Sequence, residues 1–151
     1  MKMPEKTNKD KLVKLDIGCG KIKKNGYIGI DIDSHSDADI IASALKLPFG
    51  DNSVDEIQSS HLVEHFSPNE AKKFFDEIYR VLKTGGLAEI KIDKDWTKKR
   101  LLVKDPTHKY RYKTEEIGVF VKKFSYKKIK DKIYFFRFYK PRRKLFVKLV
   151  K

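Results

Sequence analysis

Leu15-Asp16-Ile17-Gly18-Cys19-Gly20, followed by Gly29-Ile30-Asp31, is the stretch that decides the fold. It reads as a buried strand, a glycine-rich turn, and a second short strand carrying a carboxylate at its tip. That is the sequence form of a nucleoside-cofactor site at the C-terminal edge of a parallel sheet. Working outward, Val13 to Ile17 is the first strand and Tyr27 to Ile32 the second. Asp39-Ile40-Ile41-Ala42 is a short third strand, and the proline and Asp-Asn-Ser cluster of Leu47 to Ser53 is turn chemistry before a fourth strand, Val54 to Ser59.

Ser67-Pro68-Asn69-Glu70 starts a helix, with Ser67 as cap, Pro68 at the first helical position and Glu70 completing a capping box. Ala71, Phe74, Phe75, Ile78 and Leu82 then recur at helical spacing on one face. Thr84-Gly85-Gly86 stops that helix, and Leu87 to Ile92 alternates as a fifth strand. Thr114-Glu115-Glu116 opens a short helix. Phe124 to Ile129 and Ile133 to Tyr139 read as an antiparallel hairpin turning at Lys130-Asp131-Lys132. Strands alternating with helices or long loops predict an α/β layered sheet. Residues 1–10 read as a polar arm and residues 140–151 as a basic tail on a single domain spanning 1–151.

A content of 40% hydrophobic and 12% aromatic residues excludes a disordered chain despite 37% charged residues. No apolar run approaches the roughly 20 residues of a membrane span. The polar N-terminus has no signal-peptide core, so a cytoplasmic protein is expected. The one cysteine, Cys19, excludes an internal disulfide and suits a reducing compartment. Charge is unevenly placed: residues 1–93 hold 14 Lys/Arg against 16 Asp/Glu, and residues 94–151 hold 21 against 5. The last third is therefore suited to an anionic surface such as nucleic acid (RNA or DNA), a phosphorylated substrate or acidic lipid, unless the lysines reflect a lysine-rich proteome or a thermophile's charged surface.

From Leu12 to about Asp93 the chain resembles the class I S-adenosylmethionine-dependent methyltransferases, nearest their small type 11-like group. Leu15 to Gly20 resembles the first motif and Gly29-Ile30-Asp31 the second. Leu47-Pro48-Phe49 with Asp51 to Ile57 resembles the L-P-F … D-S-F-D segment before the fourth strand. Ser60 to Phe66 resembles the L-E-H helix start, and Arg80 to Gly86 the R-V-L-K-P-G-G turn, with Thr84 in place of proline. Each motif alone is common; five in order at compatible spacing carry the resemblance. It implies a Rossmann-like, doubly wound, mostly parallel sheet of about seven strands whose C-terminal hairpin supplies the antiparallel member. It also implies S-adenosylmethionine as cofactor, held by Asp16, Gly18, Cys19, Gly20, Asp31, Ile32, Ser43, Ala44 and Ser60. In that reading Gly18 and Gly20 admit the cofactor to the backbone, Asp31 accepts from ribose hydroxyls, and Asp16 anchors the turn.

Three departures stand out. Asp31 lies only 11 positions after Gly20, so Lys21 to Gly26 is a loop, and the cofactor's carboxylate is left to backbone amides or to Lys21, Lys23 or Lys24. Ser43 replaces the acid that usually receives the adenine amino group, which predicts weaker cofactor binding. The segment after the fifth strand is too short for an obvious substrate-recognition domain. His61, Glu64 and His65 are the candidate catalytic residues, placed to orient or deprotonate an acceptor, or else only to cap and pack the following helix. His61 to His65 also matches the H-x-x-E-H zinc pattern, but at a strand end and not inside a long helix, so no metal is expected.

Cys19 is read as a small turn residue, not a nucleophile. His108, Tyr110 and Arg111 are candidate substrate contacts, because Asp105 to Tyr112 resembles a segment over the family's active site. Trp96, Tyr110, Tyr112, Tyr126, Tyr134, Phe135, Phe136 and Tyr139 are read mainly as the core side of the final hairpin and a neighbouring helix, with base stacking as the other use. The expected activity is methyl transfer to an acceptor that is anionic or carried by an anionic partner. The alternative is a non-catalytic nucleic-acid-binding protein that retains the fold. A dinucleotide-dependent dehydrogenase ranks third, because Lys23 stands where the third glycine of G-x-G-x-x-G belongs.

Overall fold

The computed structural model describes residues 12–94, 106–136 and 139–151. The polar arm 1–10 and Trp96 lie outside the described residues, as do the side chains of Phe135, Phe136 and Tyr139. The described strands form one seven-stranded sheet in the order β3-β2-β1-β4-β5-β7-β6. β1 (Lys14–Ile17), β2 (Ile28–Asp31), β3 (Ile40–Ile41), β4 (Val54–Ser60) and β5 (Leu82–Lys94) are all parallel. β7 (Tyr139–Val150) runs antiparallel between β5 and β6 (Tyr126–Phe136). The class is the expected Rossmann-like α/β sheet with its antiparallel member at the C-terminus.

Strand alternation sorts the side chains onto two faces. Leu15, Ile17, Ile30, Ile57, Ala88, Ile90, Ile92, Leu145, Val147 and Leu149 all point to one face and form a single core. That face is covered by α1 (Pro68–Val81), which buries Ala71, Phe74, Phe75, Ile78 and Val81, and by α2 (Thr114–Phe120), which buries Ile117. α1 begins with the expected capping box: Ser67 Oγ accepts from Glu70 N, and Glu70 Oε2 accepts from Ser67 N at 2.8 Å. Arg80, from the resemblance's R-V-L motif, ties α1 to the L-P-F loop. Its guanidinium donates to Leu47 O (3.1 Å), Phe49 O (2.8 Å) and Asp51 (2.9 Å) while pairing with Glu77 (2.8 Å). Hydrogen bonds from Arg80 hold the Glu77 carboxyl below the usual carboxylate range.

The C-terminal hairpin differs from the sequence reading. Lys130-Asp131-Lys132 is no turn; β6 runs through it, with Lys130 opposite Phe146 and Lys132 opposite Lys144. The reversal falls after Phe136, whose partner is Tyr139. Asp131 reads as a turn residue by type, but it stays extended because Lys94 Nζ (2.7 Å) and Arg143 Nε (2.9 Å) both donate to its carboxylate. Burial opposes that charge, yet the two cations outweigh it and the carboxyl stays below its usual range. The presumed basic tail 140–151 is mostly β7, an interior strand. Leu145, Val147 and Leu149 recur with period two and are buried against the helices, and this pattern fixes the register.

Candidate cofactor site and reaction edge

Strand order reverses at β1, which pairs with β2 on one side and β4 on the other. In open α/β sheets such a switch point opens a crevice beyond the strands' carboxyl ends. Gly18 and Gly20 turn the chain there with φ of +70° and +57°, the left-handed region that a Cβ disfavours. A Cβ on Gly18 would also stand 3.0 Å from the Leu62 methyl groups. Gly18 N donates to Ile30 O (2.7 Å), and Gly20 N donates to Asp31 Oδ2 (2.9 Å). Asp33 N donates to Asp31 Oδ1 (3.0 Å), so backbone amides orient both carboxylate oxygens and each keeps capacity to accept again.

The shortened loop is held by two other acids. Buried Asp16 accepts from Lys24 N (2.8 Å). Asp39 accepts from Lys23 Nζ (2.7 Å) and Gly29 N (2.7 Å), which keeps its carboxyl below the usual range. Lys23 therefore lies across β2 on the face away from the helices, and a Cβ on Gly29 would come within 2.7 Å of its Cδ and 3.0 Å of Cys19 Sγ. Of the three lysines considered for the cofactor's carboxylate, Lys23 is taken by Asp39 and Lys24 Nζ reaches Tyr27 OH at 3.0 Å. Lys21 has no side-chain hydrogen bond among the described residues and is exposed. Burial, then the charges of Asp16 and Asp31, push the Cys19 thiol up, which suits a turn residue and not a nucleophile.

Above this turn lies a cavity of about 190 Å³. Of the residues the resemblance assigns to the cofactor, Gly18, Asp31, Ile32, Ser43 and Ala44 line it; Asp16, Cys19 and Gly20 build the turn beside it, and Ser60 is not in its wall. Ser43 Oγ already accepts from Leu45 N (3.2 Å), leaving its hydroxyl proton to donate. Leu45, Leu62, Phe66, Glu70 and Lys109 also line the cavity and were missed. Leu62 and Phe66 were legible only as apolar residues, and Glu70 only as the helix cap it also is. Lys109 reaches Glu70 Oε2 at 3.5 Å.

The end of β4 carries the candidate catalytic residues, the candidate reaction edge. His61 sits at φ +59°, an uncommon backbone state for a residue with a Cβ. Its Nδ1 meets Glu64 Oε1 at 3.2 Å, and its Nε2 meets Lys144 Nζ at 2.8 Å. The neutral tautomer that suits both contacts carries its proton on Nδ1 and accepts at Nε2. Glu64 is fully buried; Oε1 also accepts from Asp93 N (3.2 Å), and Oε2 has no hydrogen-bond partner. One ligand-capable atom each from His61, Glu64 and Asp93 lies within 4.8 Å of the others, with the Lys144 ammonium beside them.

His65 lies apart from the His61–Glu64 pair and lines the cavity: Val63–His65 is a single 3-10 turn, and its Nδ1 meets Thr107 Oγ1 at 2.9 Å. The segment from Thr107 to Tyr112 does lie over this edge. Lys109 N and Tyr110 N donate to Glu64 O (2.9 and 3.2 Å), and the His108 ring packs edge-on against His65 at 4.8 Å. The Tyr110 hydroxyl points to Glu116 Oε1 (2.6 Å), and Tyr112 is a core residue donating to Phe66 O (2.7 Å). Arg111 is half-buried beside them.

A glycine turn, an amide-held acid and a cavity at the switch point define a nucleoside-cofactor-binding α/β protein. A family profile described as a methyltransferase domain matches residues 15–90, and the chain belongs to that family. No curated protein matches the sequence. Among solved structures, an S-adenosylmethionine-dependent methyltransferase from Archaeoglobus fulgidus superposes with a TM-score of 0.72 at 19% identity, covering 95% of this chain and 87% of that one. One from Methanosarcina mazei gives 0.66 at 20% identity, covering 91% of each. Phosphoethanolamine N-methyltransferase 2 of Haemonchus contortus, in complex with S-adenosyl-L-methionine, gives 0.74 at 17% identity; 93% of this chain covers 48% of that one.

Proposed function

We propose that the chain transfers the methyl group of S-adenosylmethionine to an acceptor that is anionic or carried by an anionic partner. The observation that carries the cofactor assignment is the Asp31 carboxylate, held by Gly20 N and Asp33 N at the wall of the switch-point cavity. The residues fit a nucleoside: Gly20, at φ +57°, has open space where a Cβ would stand, and Ile32, 75% exposed and in the cavity wall, offers an apolar face to a base. Asp31 would hold the ribose, and Ser43 can donate to a ring nitrogen but is not the usual acid for an amino group. When bound, S-adenosylmethionine supplies an electrophilic methyl group.

The chain's own part is then to position the acceptor and relieve it of a proton, because orientation provides much of the barrier reduction in such transfers. His61 is the residue for the proton. Buried Glu64 fixes the ring through Nδ1, so Nε2 is the basic atom facing outward, the same division of labour as in a base held by a carboxylate. Lys144 occupies Nε2 here and would be displaced by, or pair with, a negatively charged acceptor. His65 and His108 form an imidazole pair beside the cavity, suited to contacting the acceptor. A cytoplasmic setting goes with the lone, nearly buried Cys19.

Calorimetric titration with S-adenosylhomocysteine tests the reading. Saturable binding should weaken about 100-fold or more in Asp31→Ala, the scale of two hydrogen bonds to a charged group. Absence of binding at millimolar ligand overturns it.

A further inference from the structure

Both described helices pack on one face of the sheet, and the opposite face of β5-β7-β6 is open. Its side chains follow from the register. β6 presents Tyr126, Lys128, Lys130, Lys132 and Tyr134; opposite them β7 presents Val150, Lys148, Phe146 and Lys144. β5 adds Glu89, Lys91 and Asp93. A groove of about 350 Å³ runs between them, lined by Phe146 and Tyr126, by Lys91, Lys128, Lys130 and Lys148, and by the single acid Glu89.

We propose that this open face is a docking surface for single-stranded nucleic acid. Alternate strand residues are about 7 Å apart and neighbouring strands about 4.8 Å, so the lysines form a lattice of cations and not a single cluster. Lys148 is paired with Glu89 at 3.3 Å and Lys144 with His61 at 2.8 Å. Lys91, Lys128, Lys130 and Lys132 have no ion pair among the described residues, so no acid there offsets their charge. Lys132 Nζ instead lies 5.2 Å from the Phe146 ring centre, and Tyr134 sits 6.1 Å from the same ring. Tyr126 is 46% exposed, a large ring left in water beside two lysines.

Rings interleaved with cations on an open strand surface match what unpaired bases need: faces to stack on and charges to track the backbone. A duplex hides its base faces, and a lipid surface would call for a continuous apolar patch that inserts, whereas the described residues of this face interleave Tyr126, Phe146 and Val150 with lysines. The surface also has a direction. Lys144 joins it to His61, so a strand lying along β6 and β7 ends at the reaction edge. The binding claim stands without methyl transfer and does not depend on the cofactor.

Fluorescence anisotropy with a labelled oligouridylate of about 12 nucleotides tests it, since single-strand sites commonly span about 4–16. These four lysines predict that log K falls with log salt at a slope of about −3. Lys128→Gln with Lys130→Gln should weaken binding and flatten the slope by about 1.4. Phe146→Ala should weaken binding about tenfold with the slope unchanged, and Phe146→Leu, which keeps the apolar packing, should do the same. Asp31→Ala should bind the oligonucleotide like the parent chain, which separates this claim from the cofactor reading. No binding at low salt, a slope insensitive to the lysine changes, or equal binding by duplex RNA or anionic phosphatidylserine vesicles through the same lysines would each overturn the proposal.

Discussion

The two faces of this sheet carry different work. On the helix-covered face, apolar side chains are enclosed in one core with α1 and α2, and the Asp131–Lys94–Arg143 cluster closes its outer end. On the other, a loop replaces the first connecting helix, and charged residues run from Lys23 across Asp93 and Lys144 to the lysine rows of β6. Stability should therefore reside on one side and recognition on the other, although alternate residues of the same strands supply both. Ile90 and Val147 face the core, while their neighbours Lys91 and Phe146 face outward. Substitutions on the two faces should separate cleanly by what they change.

The largest stability loss belongs to the covered face. Phe74 is fully buried between Phe66 (ring centres 5.6 Å apart) and Phe75 (5.5 Å). Phe74→Ala should cost about 3–5 kcal/mol in urea unfolding, with apolar transfer and cavity terms adding. Next comes the clamp on that layer. Arg80→Ala should cost about 2 kcal/mol, because it strips the Leu47 and Phe49 carbonyls and Glu77 of charged donors. Its Glu77 component has a defined pH sign. The folded Glu77 carboxyl is held below its ordinary value of 4.5, so its contribution is full above that value and is lost as pH falls through the folded one. The stability gap between the parent chain and Glu77→Gln should accordingly shrink between pH 7 and strongly acidic conditions.

Smaller effects mark the boundary and the open face. Gly29→Ala forces the Lys23 stem and Cys19 Sγ outward and should cost about 1–2 kcal/mol, the usual penalty of overpacking. Lys128→Gln or Lys130→Gln should change stability by less than about 0.5 kcal/mol. A large loss from either lysine change, or a negligible one from Phe74→Ala, would break the division between the faces.

The parallel half of the fold was legible because its signals are local. The Gly18-x-Gly20 turn, the Ser67–Glu70 capping box and the period of Phe74, Phe75 and Ile78 each fix a conformation within a few residues. The antiparallel end was misread where local chemistry competes with distant pairing. Lys130-Asp131-Lys132 has turn composition, yet Lys94 and Arg143, remote in sequence, keep Asp131 extended. Likewise Tyr126 and Tyr134, expected on the core side, stand on the open face, because shifting the turn to beyond Phe136 changes which residues of the hairpin oppose one another. At the site, Asp31, Ile32 and Ser43 were found from the motifs, whereas Leu62, Phe66 and Lys109 reach the cavity only through the fold. Lys144 gave no sign at all of meeting His61, 83 positions away.

Backbone amide NMR of the full chain tests the division most directly. Adding S-adenosylhomocysteine should move the resonances of Gly18, Gly20, Asp31 and Ile32 and leave Lys128, Lys130 and Phe146 in place, while adding oligouridylate should do the reverse. If the cofactor moves none of the first group, or if both ligands move the same residues, the assignment of cofactor to the switch point and nucleic acid to the open face is wrong.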